Sequence, residues 1–273
     1  IQKKDFNRNT DYYYNEFTFK ETWLNYHGED LDMDLDKSYL EMSENADHLF
    51  IVTKLKVLNT VISRKILSGI SIYKTYWAVE NILKYIEKNT DDIEKNHPII
   101  YSEYKILMMV LEPDTVKHFH DLEKHVFQNI TRYNEDELEQ VYYSLSNYCV
   151  NKIALGEDKF INELYKIHSN FEKTGFYSKN KNLQYTDFIG VIICGLNMRH
   201  MKWVEHFFET YKGNIASEVK RDTINLSSAL IAFQNKKYRD CVGYLGKVGY
   251  KYTYFYLKSK ETLIKAYYEL GEI

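Results

Sequence analysis

Residues 225–248 read NLSSALIAFQNKKYRDCVGYLGKV. Ala229 and Ala232 fall on one helix face. Tyr238, Cys241, Leu245 and Val248 then follow at spacings of three and four, the period of a second helix face. The same arrangement opens 34 residues earlier at Gly195, with Met198, Val204, Phe207 and Tyr211. It opens again 35 residues after Ala229 at Ile264, with Leu263, Tyr267 and Gly271. A pair of helices this short cannot bury its apolar face alone and must stack on its neighbours. This reading puts a compact residue (Gly195, Ala229, Ile264) wherever the second helix of a pair crosses the first.

Composition agrees with long helices and short connections. The chain of 273 residues has only two prolines and 11 glycines, too few for a many-turned β fold, and 44% of it is apolar, ample for a packed interior. Its 26 tyrosines suit thin layers in which a ring is buried while the hydroxyl stays wet. A net charge of −3 gives no reason to expect nucleic acid. Cys149, Cys194 and Cys241 are far apart and set among apolar residues, so they read as buried hydrophobes in a reducing, cytoplasmic compartment. No run has the roughly 18 apolar residues of a membrane span. Ile1 is no initiator, so the chain is expected to be a piece of a longer one.

Along the chain, helices are predicted over about 10–26, near 38–42 and over 44–67, the last on Leu55, Leu58, Ile62 and Ile66. Others follow over 72–88, from Pro98 to about 111, and over 114–131. Asn134 with Glu137 three residues on has the form of a capping box. The helix it starts ends near Gly156, and a partner covers 158–173. Residues 174–182 form the longest expected loop, a minor boundary within a single helical-repeat domain. The repeat then gives 185–199 with 201–212, 217–234 with 236–247, and a last helix over 254–270.

The pattern of small residues on first helices and Cys241-like positions on second ones resembles the tetratricopeptide repeat. The match is good over 185–273 and looser over 134–173, where Asn151, Ala154, Phe160 and Ile167 carry it. The bulky residue early in the first helix and the closing proline of that family are missing, so the chain is tetratricopeptide-like. The resemblance implies a right-handed α-α superhelix of antiparallel helical hairpins. Its concave face, lined by first helices, would bind proteins or peptides.

Three constellations could carry chemistry. Asp30, Asp32, Asp34, Asp36, Ser38 and Glu41 imitate a calcium loop, but Leu35 stands where the turn needs glycine and Lys37 where an aliphatic belongs. A solvated acidic connector is the expectation. His97, His120 and Asp121 are similar to the metal site of helical phosphohydrolases, without the small residues that usually follow the dyad. His118, Asp121 and His125 share one helix face, from which a tetrahedral site cannot be closed. His200 and His206 flank Trp203 and read as packing or surface residues. No nucleophile elbow or phosphate-binding glycine loop is present.

Charge is uneven: residues 28–48 hold eight acids against one lysine, and residues 236–265 hold eight basic residues against two acids. The sequence therefore reads as an all-α, non-catalytic protein- or peptide-binding scaffold with no cofactor. Arg199, Gln234, Lys258, Lys265 and Tyr268 project from first helices as contact residues, an acidic partner is favoured, and self-association is open. The rivals are a metal-dependent hydrolase centred on His97, His120 and Asp121, and a purely structural segment of a multidomain protein.

Overall fold

The computed structural model describes residues 10–27, 35–68, 77–179 and 181–272, and every regular element among them is helical. The chain divides into two compact units, Ile1–Tyr148 and Cys149–Ile273.

In the first unit, α1 (Thr10–His27) packs along α2 (Asp36–Ser68); Tyr13 and Leu24 of the first helix and Ile51, Val52, Leu55 and Leu58 of the second are buried. Where the sequence suggested a short helix and then a longer one, α2 is a single helix of 33 residues. No glycine or proline stands between positions 36 and 68, so nothing interrupts the hydrogen-bond ladder. Most of the acidic connector, including Asp30, Asp32 and Asp34, lies outside the described residues. After α3 (Trp77–Lys88) and α4 (Thr90–Asn96) comes α5 (Pro98–Leu111), with proline in its first turn and nearly every side chain buried. It packs against α2 and α6 (Lys117–Gln128). The capping box forms as expected at the start of α7 (Glu135–Ala154). The Asn134 N–H donates to the Glu137 carboxylate at 3.1 Å, and the Glu137 N–H donates to the Asn134 side-chain oxygen at 2.8 Å.

The second unit holds α8 (Lys159–Lys173), α9 (Phe176–Lys179), α10 (Tyr185–Asn197), α11 (Met201–Tyr211), α12 (Ser217–Gln234), α13 (Tyr238–Leu245) and α14 (Thr253–Leu270). Residues 174–182 are therefore not simply a loop: they contain α9 and anchor it. Tyr177 is fully buried, its ring against Phe207 and Tyr211 and its hydroxyl 3.2 Å from Nδ1 of His168. Leu183 then makes a single parallel bridge to Ile215.

The crossing reading holds at Gly195, and Ala229 is buried as it requires. Gly195 and Ala229 are buried, and a Cβ built on Gly195 would lie 2.5 Å from Cγ2 of Val204 and 2.9 Å from the Trp203 ring. The third position is corrected: Ile264 is 62% exposed, whereas Ser259, Thr262 and Ala266 face the interior. Two residues along a helix turn the side chain by about 200°, so Ala266 and Ile264 occupy opposite faces. Small residues let α14 lie close to α12 and α13, and the larger isoleucine takes the side away from them.

A recurrent stop ends α7, α10, α12 and α14. Each is followed by a left-handed residue, respectively Gly156, Arg199, Lys236 and Gly271, with φ of 88°, 58°, 59° and 71°. The next residue in each case donates its N–H to a carbonyl five positions back: Glu157 to Lys152, His200 to Gly195, Lys237 to Ala232 and Glu272 to Tyr267. Two of the four stops use a long cationic side chain where glycine would be unstrained, which is why the sequence does not announce them.

Gly195→Ala should destabilise the protein by about 1–3 kcal/mol, because the added methyl overlaps both Val204 and Trp203. Denaturant unfolding checks this; an unchanged midpoint would show that the crossing is looser than the structure has it.

Candidate interaction surface

The last helix has two dissimilar apolar faces. Phe255, Ser259, Thr262 and Ala266, spaced four, three and four residues apart, are buried in the unit. Leu257, Ile264 and Tyr268, spaced seven and four, are 59%, 62% and 71% exposed. They share one face of the helix, and Glu261 lies between them on that face. Lys258 Nζ and Lys265 Nζ both donate to Glu261, at 2.9 and 2.5 Å. Hydrogen bonds from Lys265 and Lys258 hold the Glu261 carboxyl below its usual range. Lys260 sits over the rings of Tyr250 and Tyr256, 5.5 and 5.8 Å from their centroids. The result is an exposed apolar stripe flanked by lysines. Contiguous apolar surface of this kind marks contact sites more often than scattered exposed residues do.

Of the contact residues expected from sequence, Lys258, Lys265 and Tyr268 belong to this helix. Arg199 and Gln234 are exposed, but they lie at the C-terminal ends of α10 and α12, and Arg199 forms part of the helix stop. Leu257 and Ile264 were missed. A helical wheel of 253–270 would have found them, since the small residues all fall on the side opposite to them.

The residues weighed for metal chemistry have other partners. His97 Nδ1 is 2.7 Å from the hydroxyl of the buried Tyr13, and its ring lies 4.0 Å from that of His48, centroid to centroid. Asp121 pairs with Lys105 at 2.7 Å, and the exposed His120 lies 3.7 Å from Glu123. His118 faces Glu112 at 3.0 Å. Among the described residues His97, His120 and Asp121 do not gather into one ligand set, nor do His118, Asp121 and His125. Glu41, the last oxygen of the calcium-like series, pairs with Lys20 and Lys37. In the second unit His200 stacks on Tyr165 at 4.4 Å, Trp203 Nε1 donates to Glu172 at 2.6 Å, and His206 approaches the same carboxylate at 3.8 Å.

Sequence reasoning also missed a buried polar knot in the first unit. Glu103 on α5 accepts from Asn59 at 2.8 Å and from Gln140 at 3.0 Å, while Lys56 bridges Glu137 and the Thr10 hydroxyl. Burial pushes the Glu103 carboxyl up to about 7. Tertiary packing alone brings these residues together, so no local spacing could signal them.

Charge follows the two units. Ile1–Tyr148 holds 17 Lys and Arg against 26 Asp and Glu, a net of −9, while Cys149–Ile273 holds 19 against 13, a net of +6. No described helix is long and apolar enough to cross a membrane. Compared with protein-family models, with curated proteins and with solved structures, the chain matches none.

Burial also predicts a pH response. It holds His168 down at about 3 and His125 at about 4, against 6.5 when solvated. A depressed folded-state value means that their stabilisation is full above about 6.5 and is lost as pH falls towards those values. Glu103 acts oppositely, its share being greatest below 4.5 and lost as pH rises through about 7. His168→Gln, which can still bond Tyr177, should therefore reduce the fall in melting temperature between pH 7 and pH ~5. An unaltered slope in thermal melts would show that His168 is not the group titrating.

Proposed function

We propose that the second unit is a non-catalytic docking scaffold for a protein or peptide, its hairpins stacked in the tetratricopeptide-like superhelical manner. The observation that carries this is the exposed stripe of Leu257, Ile264 and Tyr268. The helix bearing it is fastened to the unit by a different face of small residues. Outward leucine, isoleucine and tyrosine contribute little to folding there. Desolvated against another surface, each would contribute about 1.5–3 kcal/mol of apolar transfer before the costs of association. The lysines beside the stripe favour an acidic partner, Tyr268 is the aromatic anchor, and Arg199 and Gln234 are exposed at the ends of α10 and α12 as further candidate contacts. The buried thiols of Cys149, Cys194 and Cys241 suit a reducing compartment such as the cytoplasm.

Leu257→Glu/Ile264→Glu should leave stability within about 0.5 kcal/mol per site, as surface changes generally do. The same double variant should lose the stoichiometric partners that the unaltered protein retains from a lysate of its source. Retention of the same partners by the variant would place the contact elsewhere and defeat the assignment.

A further inference from the structure

The first unit carries a second apolar feature that its fold does not use. Phe17 of α1 and Ala46, Leu49, Phe50 and Thr53 of α2 line an open groove of 270 Å³. Lys54, 5.5 Å from the Phe50 ring centroid, is the only charged residue lining it among the described residues. Tyr14, Phe50 and Val57 are 58%, 46% and 46% exposed along the same two helices. The exposed Glu21 lies one turn after Phe17, and the exposed Asp47 lies three residues before Phe50. The groove is thus apolar, with one cation in its lining and acids beside it. The α14 stripe is apolar, with one anion, Glu261, within it and Lys258, Lys260 and Lys265 beside it. Charge complements charge at both the centre and the rim.

Resting on the scaffold reading, we infer that the partner of the α14 stripe is a second copy of this chain, whose α1–α2 groove receives it. The unit-scale charges point the same way. A unit at −9 and a unit at +6 attract between copies, whereas two units of the same kind repel. Pairing α14 with α14 of another copy would set three lysines against three, offset only in part by Glu261 and Glu269 on each side. The favoured contact is therefore heterologous, stripe into groove. Such a contact leaves one stripe and one groove unfilled in every dimer and so permits further growth. Screening weakens attraction between exposed charges, so assembly belongs to low ionic strength.

Sedimentation velocity on the whole chain tests this with two single variants, each of which damages one half of the contact. Ile264→Glu spoils the stripe and leaves the groove, whereas Phe50→Glu spoils the groove and leaves the stripe. The unaltered protein should form species larger than a dimer as concentration rises in low salt, and should revert to monomer in high salt. Each variant alone should remain monomeric, and an equimolar mixture of the two should give a dimer that grows no further. If Phe50→Glu does not fold, as judged by its thermal melt, Thr53→Glu on the exposed rim of the same groove replaces it. A protein that stays monomeric at every concentration in low salt overturns the inference. So does a mixture that stays monomeric while the unaltered chain assembles, because a stripe-into-groove contact would be rebuilt between the two variants. In either case, loss of lysate partners from Leu257→Glu/Ile264→Glu would leave the scaffold reading standing, and their retention would remove both.

Discussion

The second unit depends on how closely two helices can cross. At Gly195 the backbone of α10 meets Val204 and Trp203 of α11 with no room for a methyl group. That approach lets Trp203 reach Glu172 on α8 and Phe207 reach Tyr177 on α9. A short aromatic layer is thereby closed around the segment joining α8 to α10. Ala229, with Cys241 on the helix that follows, is the second buried position of the same design. Since dispersion and burial fall off quickly with distance, a wider crossing would loosen every ring contact stacked on it.

The last helix obeys the same constraint on one face only. Ser259, Thr262 and Ala266 allow close approach, and nothing in the unit needs Leu257, Ile264 or Tyr268. A helix packed by one face only usually turns polar residues to water on the other. Its outer apolar stripe, the acidic character of the first unit and the groove between α1 and α2 support a scaffold whose preferred occupant is chemically like the chain itself.

Much of this was legible in the sequence because periodicity and capping are local. The pairs α10–α11 and α12–α13 followed from apolar spacing, and the Asn134–Glu137 cap from a three-residue interval. What escaped was of three kinds. The stops at Arg199 and Lys236 use left-handed conformations in residues that give no hint of them. Tyr177 and the Glu103 knot owe their burial to partners far away in the sequence. The repeat period points Ile264 inward because it fixes the number of residues between units but not which face of a helix turns inward. Ala266, two positions on, met the packing requirement better. For the candidate surface, Lys258, Lys265 and Tyr268 were readable as polar or amphipathic residues on one helix. The apolar centre of the stripe needs the further step of placing it opposite the small residues of the same helix, since leucine and isoleucine usually signal a core.

The two-faced character of α14 is the central claim, and a paired stability measurement tests it most directly. Ile264→Ser and Ala266→Phe are compared by denaturant unfolding under identical conditions. Losing a large aliphatic at position 264 should change stability by no more than about 0.5 kcal/mol, while adding a ring at position 266 should lower it by about 1–3 kcal/mol. The opposite ranking, with Ile264→Ser the more damaging, would turn the helix over and contradict the account.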